Sequence, residues 1–138
     1  MSAKVILIAD DDEADVHFLT RALRETLPNV QVRSVADGKQ AVDYLAGREK
    51  FADRAASPFP VHLFLDLKMP LVSGLEVLQW LRHQPPEIGR LKVTVLSGSE
   101  LASDVEQARA LGADYFVKPL EYAALLALVR EFAQKFSG

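Results

Sequence analysis

Two hydrophobic rhythms alternate along this chain. Short apolar runs, VILIA at 5–9, VHLFL ahead of Asp66, KVTVL at 92–96 and YFV at 115–117, are too brief for helices and predict buried strands. VQVRSV at 30–35 alternates apolar and polar positions, as a strand near a sheet edge does. Between these runs the apolar residues recur every three or four positions. Phe18, Leu19, Ala22, Leu23 and Leu27 mark a first helix over 13–27, capped by Asp12 and broken by Pro28-Asn29. Ala41, Val42, Leu45 and Ala46 mark a second, opened by Asp37-Gly38 and closed at Gly47. A third runs from Ser73-Gly74 to Pro85-Pro86 with Leu75, Val77, Leu78 and Leu81 on one stripe and Trp80 at its border. Leu101, Val105, Ala108 and Leu111 mark a fourth that stops at Gly112, and a fifth over 120–136 turns Leu125, Leu128, Val129, Phe132 and Phe136 inward. Only Arg48 to Pro60 has no period, and its charges and two prolines predict a long, solvated loop.

Strand and helix alternate five times, which predicts an α/β fold: a five-stranded parallel sheet with helices on both faces, doubly wound into three layers. Right-handed crossovers favour the flavodoxin-like order 2-1-3-4-5, with the switch point between strands one and three. Four strands end on polar residues: Asp10-Asp11, Asp66, Ser97 and Lys118. In that order all four ends meet on one edge of the sheet. Taken alone, Asp66 also reads as a turn former or helix cap, so the cluster has to decide its role.

The rest of the composition narrows the picture. A chain of 138 residues is one domain's length, so a single domain is expected over 1–138. Sixteen Lys and Arg against nineteen Asp and Glu give no electrostatic footprint for nucleic acid or an anionic membrane. There is no cysteine, hence no disulfide and no thiolate chemistry. Acids follow the first apolar run at once, unlike a signal peptide, and no run approaches the ~20 residues that span a bilayer, so a cytoplasmic protein is expected. His17, His62 and His83 lie on separate elements without ligand spacing and read as surface or border residues.

Charge gives the cluster its meaning. Two unit charges about 4 Å apart repel by roughly 4 kcal/mol at an effective dielectric near 20, so Asp10, Asp11 and Asp66 together call for positive charge. Lys118 supplies one, and a hard divalent cation held by carboxylates, a carbonyl and water, Mg2+ by preference, supplies the rest. Helix capping would explain Asp12 and Asp10 separately but not the lysine at the fifth strand end.

The motifs ILIADDDE, FLDLKMP followed by Gly74, VTVLSGS and GADYFVKP, in this order, resemble the receiver domain of two-component response regulators over nearly the whole chain. The resemblance implies Asp66 as phosphoacceptor, Asp11 as direct magnesium ligand, Asp10 as ligand through water and Lys68 as donor of a backbone carbonyl. It implies Ser97 and Lys118 as partners of the phosphoryl group, Tyr115 as the switch aromatic, and a cis Lys118–Pro119 bond. Tyr115 as an ordinary packing aromatic stays open. Gly112 to Lys118 is about one residue tighter than in many receivers, which leaves the switch itself open. The long insert at 48–60 and the absence of an output domain after Gly138 resemble the stand-alone regulators that partner phytochrome-type histidine kinases. Such regulators often pair through the fourth helix, fifth strand and fifth helix, and the apolar surplus of the last helix suggests the same homodimer here. Two alternatives use similar residues. A hydrolase of the haloacid dehalogenase type carries its nucleophilic Asp on the first strand and its acid pair last, the reverse of this chain. A pseudo-receiver acting only as a binding module usually lacks a site residue, and none is missing here.

Overall fold

The computed structural model describes residues 4–136 of the domain expected over 1–138. Strands β1 (Val5–Ala9), β2 (Gln31–Val35), β3 (His62–Leu65), β4 (Val93–Ser97) and β5 (Asp114–Val117) form one parallel sheet in the order β2-β1-β3-β4-β5. The register sets Ala9 beside Leu65, Leu65 beside Val95 and Val95 beside Tyr115. The C-terminal ends of β1, β3, β4 and β5 therefore open on the same edge. β1, β3 and β4 are buried along their whole length, which is why their sequences are unbroken apolar runs. β2 and β5 are the edges, and β5 buries only Tyr115.

Helices α1 (Glu13–Thr26), α2 (Gly38–Ala46), α3 (Gly74–Arg82), α5 (Ala102–Ala110) and α6 (Tyr122–Lys135) are the five predicted. A one-turn α4 (Pro86–Gly89) is an addition: Pro86 ends nothing here but occupies a first turn, where its missing N–H costs no bond. Alternate strand residues face opposite layers. Ile6, Ile8, Phe64 and Leu96 pack beneath α1 and α6 with Leu19, Leu23, Leu125 and Val129. Leu7, Leu63, Leu65 and Val95 pack on the other face against Leu45, Val77, Leu78 and Ala108 of α2, α3 and α5. Asp12 caps α1 by accepting the Asp15 amide at 3.0 Å, and Asp37 caps α2 by accepting the Gln40 amide at 2.7 Å. Ser73 and Glu76 form a reciprocal capping box on α3, and Gly47 closes α2 in the left-handed conformation that favours glycine.

Several expectations are corrected. The 48–60 insert is packed: after a 3-10 turn (Glu49–Phe51), Phe51 and Phe59 lie against the core. Arg54 donates to the carbonyl oxygens of Tyr44 at 2.7 Å, Leu45 at 2.9 Å and Ser57 at 3.1 Å. The α2 carbonyls at its C-terminus lack helical partners, so the guanidinium closes the helix instead of facing water. Arg48 and Lys50 are exposed as expected. His62 is buried rather than superficial, with Nε2 2.8 Å from Thr94 Oγ1 and its ring between Phe64 and Phe132. Phe18 does not join the core but lies 42% exposed over α1, tilted against Tyr122. On α6 and just past its end, Leu126, Leu128, Phe132 and Phe136 pack against the core beneath α1 and α6, which consumes most of the apolar surplus that suggested a dimer. No described peptide bond is cis, so Lys118–Pro119 is trans. Trans is the intrinsic preference, and with it Lys118 already reaches the acids at the strand ends.

Candidate functional site

β1 runs straight into Asp10, whose side chain is buried and accepts the Asp12 amide at 2.9 Å. Asp11 follows, exposed. β3 runs into Asp66, also buried; its amide donates to the Ala9 carbonyl at 2.9 Å, so the ladder holds it beside Asp10. The amide of Lys68 donates to Asp66 Oδ1 at 3.4 Å. Gly74 permits this turn: a Cβ there would stand 2.0 Å from the Asp66 carbonyl oxygen, because α3 begins directly against the end of β3. Beyond β5 the Lys118 amide donates to the Ser97 carbonyl at 2.8 Å, and its ammonium turns across the sheet edge. Nζ lies 3.0 Å from Asp10 Oδ2, 3.1 Å from Asp66 Oδ2 and 2.7 Å from Asp15 Oδ2.

The structure thus brings together Asp10, Asp11, Asp66 and Lys118 as the sequence predicts, and adds Asp15. The only sequence signal for Asp15 is its place in the first turn of α1, where an acid is ordinarily a complement to the helix dipole. Burial pushes the Asp10 carboxyl up to about 6, against the Asp12 amide and Lys118, which favour its charge; the Asp66 charge adds to the rise. Burial also works against the Lys118 ammonium, but hydrogen bonds to Asp15 and Asp10 and the charges of Asp66 and Asp10 outweigh it and raise its pKa. Three of the site's four carboxylates share one ammonium. Asp10, Asp11 and Asp66 each offer a ligand oxygen, all within 4.8 Å of one another. Hard oxygen donors in excess of local positive charge suit a divalent cation.

Ser97 ends β4, fully buried, with its hydroxyl oxygen accepting the Ser99 amide at 3.2 Å. Tyr115 is buried on β5 and donates to the Ser99 carbonyl at 2.7 Å, while Ser99 Oγ donates to Asp104 of α5 at 2.7 Å. The Tyr115 ring lies inward in this structure. It is a core aromatic, and its hydroxyl also holds the loop after Ser97.

The family model of the response regulator receiver domain matches residues 6–130. The structure resembles response regulator RPA3017 in red light signaling of R. palustris (TM-score 0.88, 33% identity, 98% of this chain and 94% of that one). It also resembles the phosphorylated cyanobacterial phytochrome response regulator RcpA (TM-score 0.87, 28% identity, 96% and 93%). A third similar structure is the Mn(2+)-bound form of response regulator Rcp1 (TM-score 0.83, 28% identity, 94% and 91%), a protein of Synechocystis. Against the first curated relatives, two yeast proteins named Stress response regulator protein 1, the chain spans about half their length, 52% and 56%. An acid pair after β1, a lone aspartate after β3 and a lysine after β5, on a sheet ordered 2-1-3-4-5, match what the family comparison finds: this chain belongs to the response regulator receiver domains, the phosphoacceptor modules of phosphorelay signalling.

Proposed function

We propose that Asp66 accepts a phosphoryl group from the phosphohistidine of a histidine kinase. The observation that carries this reading is the Lys118 ammonium 3.1 Å from Asp66 Oδ2 at the open end of the sheet. In the transfer, an Asp66 carboxylate oxygen forms a bond to phosphorus as the N–P bond breaks, and the imidazole leaves with the electron pair and takes up a proton. The acyl phosphate carries more negative charge than the carboxylate it replaces. Lys118 pairs with that charge, and the Ser97 hydroxyl, whose oxygen accepts the Ser99 amide, has its O–H to donate to a phosphoryl oxygen. Asp11, Asp66, the Lys68 carbonyl and Asp10 through water would hold Mg2+, which supplies charge neutralisation for the phosphoryl oxygens. The exposed position of Asp11 and the burial of Asp10 suit these unequal roles.

Tyr115 and Ser99 link Ser97 to α5, so the switched surface is α5, β5 and α6. A phytochrome-class kinase is the proposed partner, supported by the likeness to RcpA and RPA3017. For homodimerisation through the same surface, Leu120 of the last-helix surplus stays fully exposed, and Leu101, Phe116 and Val117 are exposed beside it. Among the described residues no helix is long and apolar enough to cross a membrane, and a cytoplasmic site of action accords with that. Phosphotransfer from a phytochrome-class histidine kinase to this chain, stopped by a chelator and by Asp11→Ala or Lys118→Ala with helicity retained, tests the proposal. Transfer that persists with the chelator contradicts the metal role. Sedimentation decides the dimer: a monomer with and without phosphodonor rules it out.

A further inference from the structure

We propose that Asp15 is a positioning residue for Lys118, holding its ammonium against the phosphorylation reaction and yielding it when the phosphoryl group arrives. This inference rests on the reading of Asp66 as phosphoacceptor. Of the three carboxylates around Lys118 Nζ, Asp15 is the nearest, 2.7 Å against 3.0 Å for Asp10 and 3.1 Å for Asp66. It reaches the lysine from the first turn of α1, 103 residues away in sequence, and stands outside the Asp10, Asp11 and Asp66 cluster.

An ammonium has three N–H donors, and three carboxylates already face this one. A phosphoryl group on Asp66 replaces one carboxylate charge with several charged acceptor oxygens, which take over the Asp66 contact and compete with Asp10 and Asp15 for the remaining donors. The Asp10 side chain is only 8% exposed, and leaving it without its cation strands a buried charge. The Asp15 side chain is 42% exposed and rehydrates readily on release. It also borders a cavity of about 230 Å³ between α1 and α6, shared with Lys118, Phe18 and Tyr122, which gives the freed carboxylate room. Asp15 therefore competes with the phosphoryl group for Lys118.

The test is the affinity for beryllofluoride, a phosphoryl mimic, with magnesium present, measured by calorimetry on wild type, Asp15→Asn and Glu13→Gln. Glu13→Gln removes the same charge from the same helical turn. Losing a competing partly exposed ion pair predicts about fivefold tighter binding for Asp15→Asn. Glu13→Gln is expected to stay within about twofold of wild type, as a surface charge does. The ¹⁵N resonance of the Lys118 ammonium supplies a readout that a structural role would not move. It is expected to differ between free wild type and free Asp15→Asn, and to coincide in their beryllofluoride complexes. No gain in Asp15→Asn, an equal gain in Glu13→Gln, or ammonium resonances that still differ in the complexes overturns the inference. A wild type that binds no beryllofluoride defeats the phosphoacceptor reading first, and this inference with it.

Discussion

Asp10→Asn removes a buried charge from the site while keeping its shape and one acceptor oxygen, which serves either the Asp12 amide or Lys118 but not both. Burial raises the Asp10 pKa from the ordinary 3.8 to about 6. At ~1.4 kcal/mol per pH unit, those two units amount to about 3 kcal/mol. The raised value means that between pH 3.8 and about 6 the folded protein binds more protons than the unfolded chain. Stability therefore falls as pH rises through that window, and the full cost stands above it. Asp10→Asn is thus expected to exceed wild type at pH 7, by up to about 3 kcal/mol less the cost of the acceptor it gives up, and to lose that advantage toward pH 3.8. Urea unfolding in the presence of a chelator, at pH steps from 4 to 8 and with an unchanged m-value, reads the difference. Adding Mg2+ at about 100 times its Kd restores about 2.7 kcal/mol to wild type and less to the variant. A variant no more stable than wild type at pH 7, or a gap that does not close toward acid, refutes the electrostatic reasoning.

Two further perturbations probe the scaffold. Burial, with a smaller contribution from Lys92, depresses the His62 pKa to about 4, so the folded protein resists the proton that the unfolded chain takes up below about 6.5. His62 should contribute a loss of about 3 kcal/mol from pH 6.5 to 4, opposing the gain from Asp10 over the same window, and His62→Gln should remove that loss in acid titrations of the unfolding midpoint. Gly74→Ala, whose Cβ would meet the Asp66 carbonyl oxygen, should cost about 3 kcal/mol in urea and weaken divalent-ion binding by displacing Asp66; an unchanged affinity would show that the β3 end tolerates the shift.

The sheet and most of the site were legible in the sequence because each is written locally. A strand buried on both faces must be an apolar run, and the polar residue that ends it, Asp10, Asp66 or Ser97, marks its open end. What the sequence hid depends on partners far away in the chain. Asp15 looks like a first-turn acid, and only the fold sets it 2.7 Å from a lysine 103 residues later. Arg54 looks like a solvated charge until the chain returns it to the carbonyls that end α2. His62 carried no pattern of its own, since one polar residue opening an apolar strand fits a buried or an exposed position equally. The Lys118–Pro119 bond is trans, and nothing in the local sequence separates the two isomers by more than about 1 kcal/mol.

The central claim is that Asp66 is the phosphoacceptor, and mass spectrometry of the protein after exposure to a small phosphodonor with magnesium tests it most directly. The account predicts one added phosphoryl group, labile as an acyl phosphate, mapped to the peptide containing Asp66 and lost in Asp66→Asn. A phosphoryl adduct of the same stoichiometry on Asp66→Asn, or one mapped to Asp10, Asp11 or Ser97 in wild type, would contradict it.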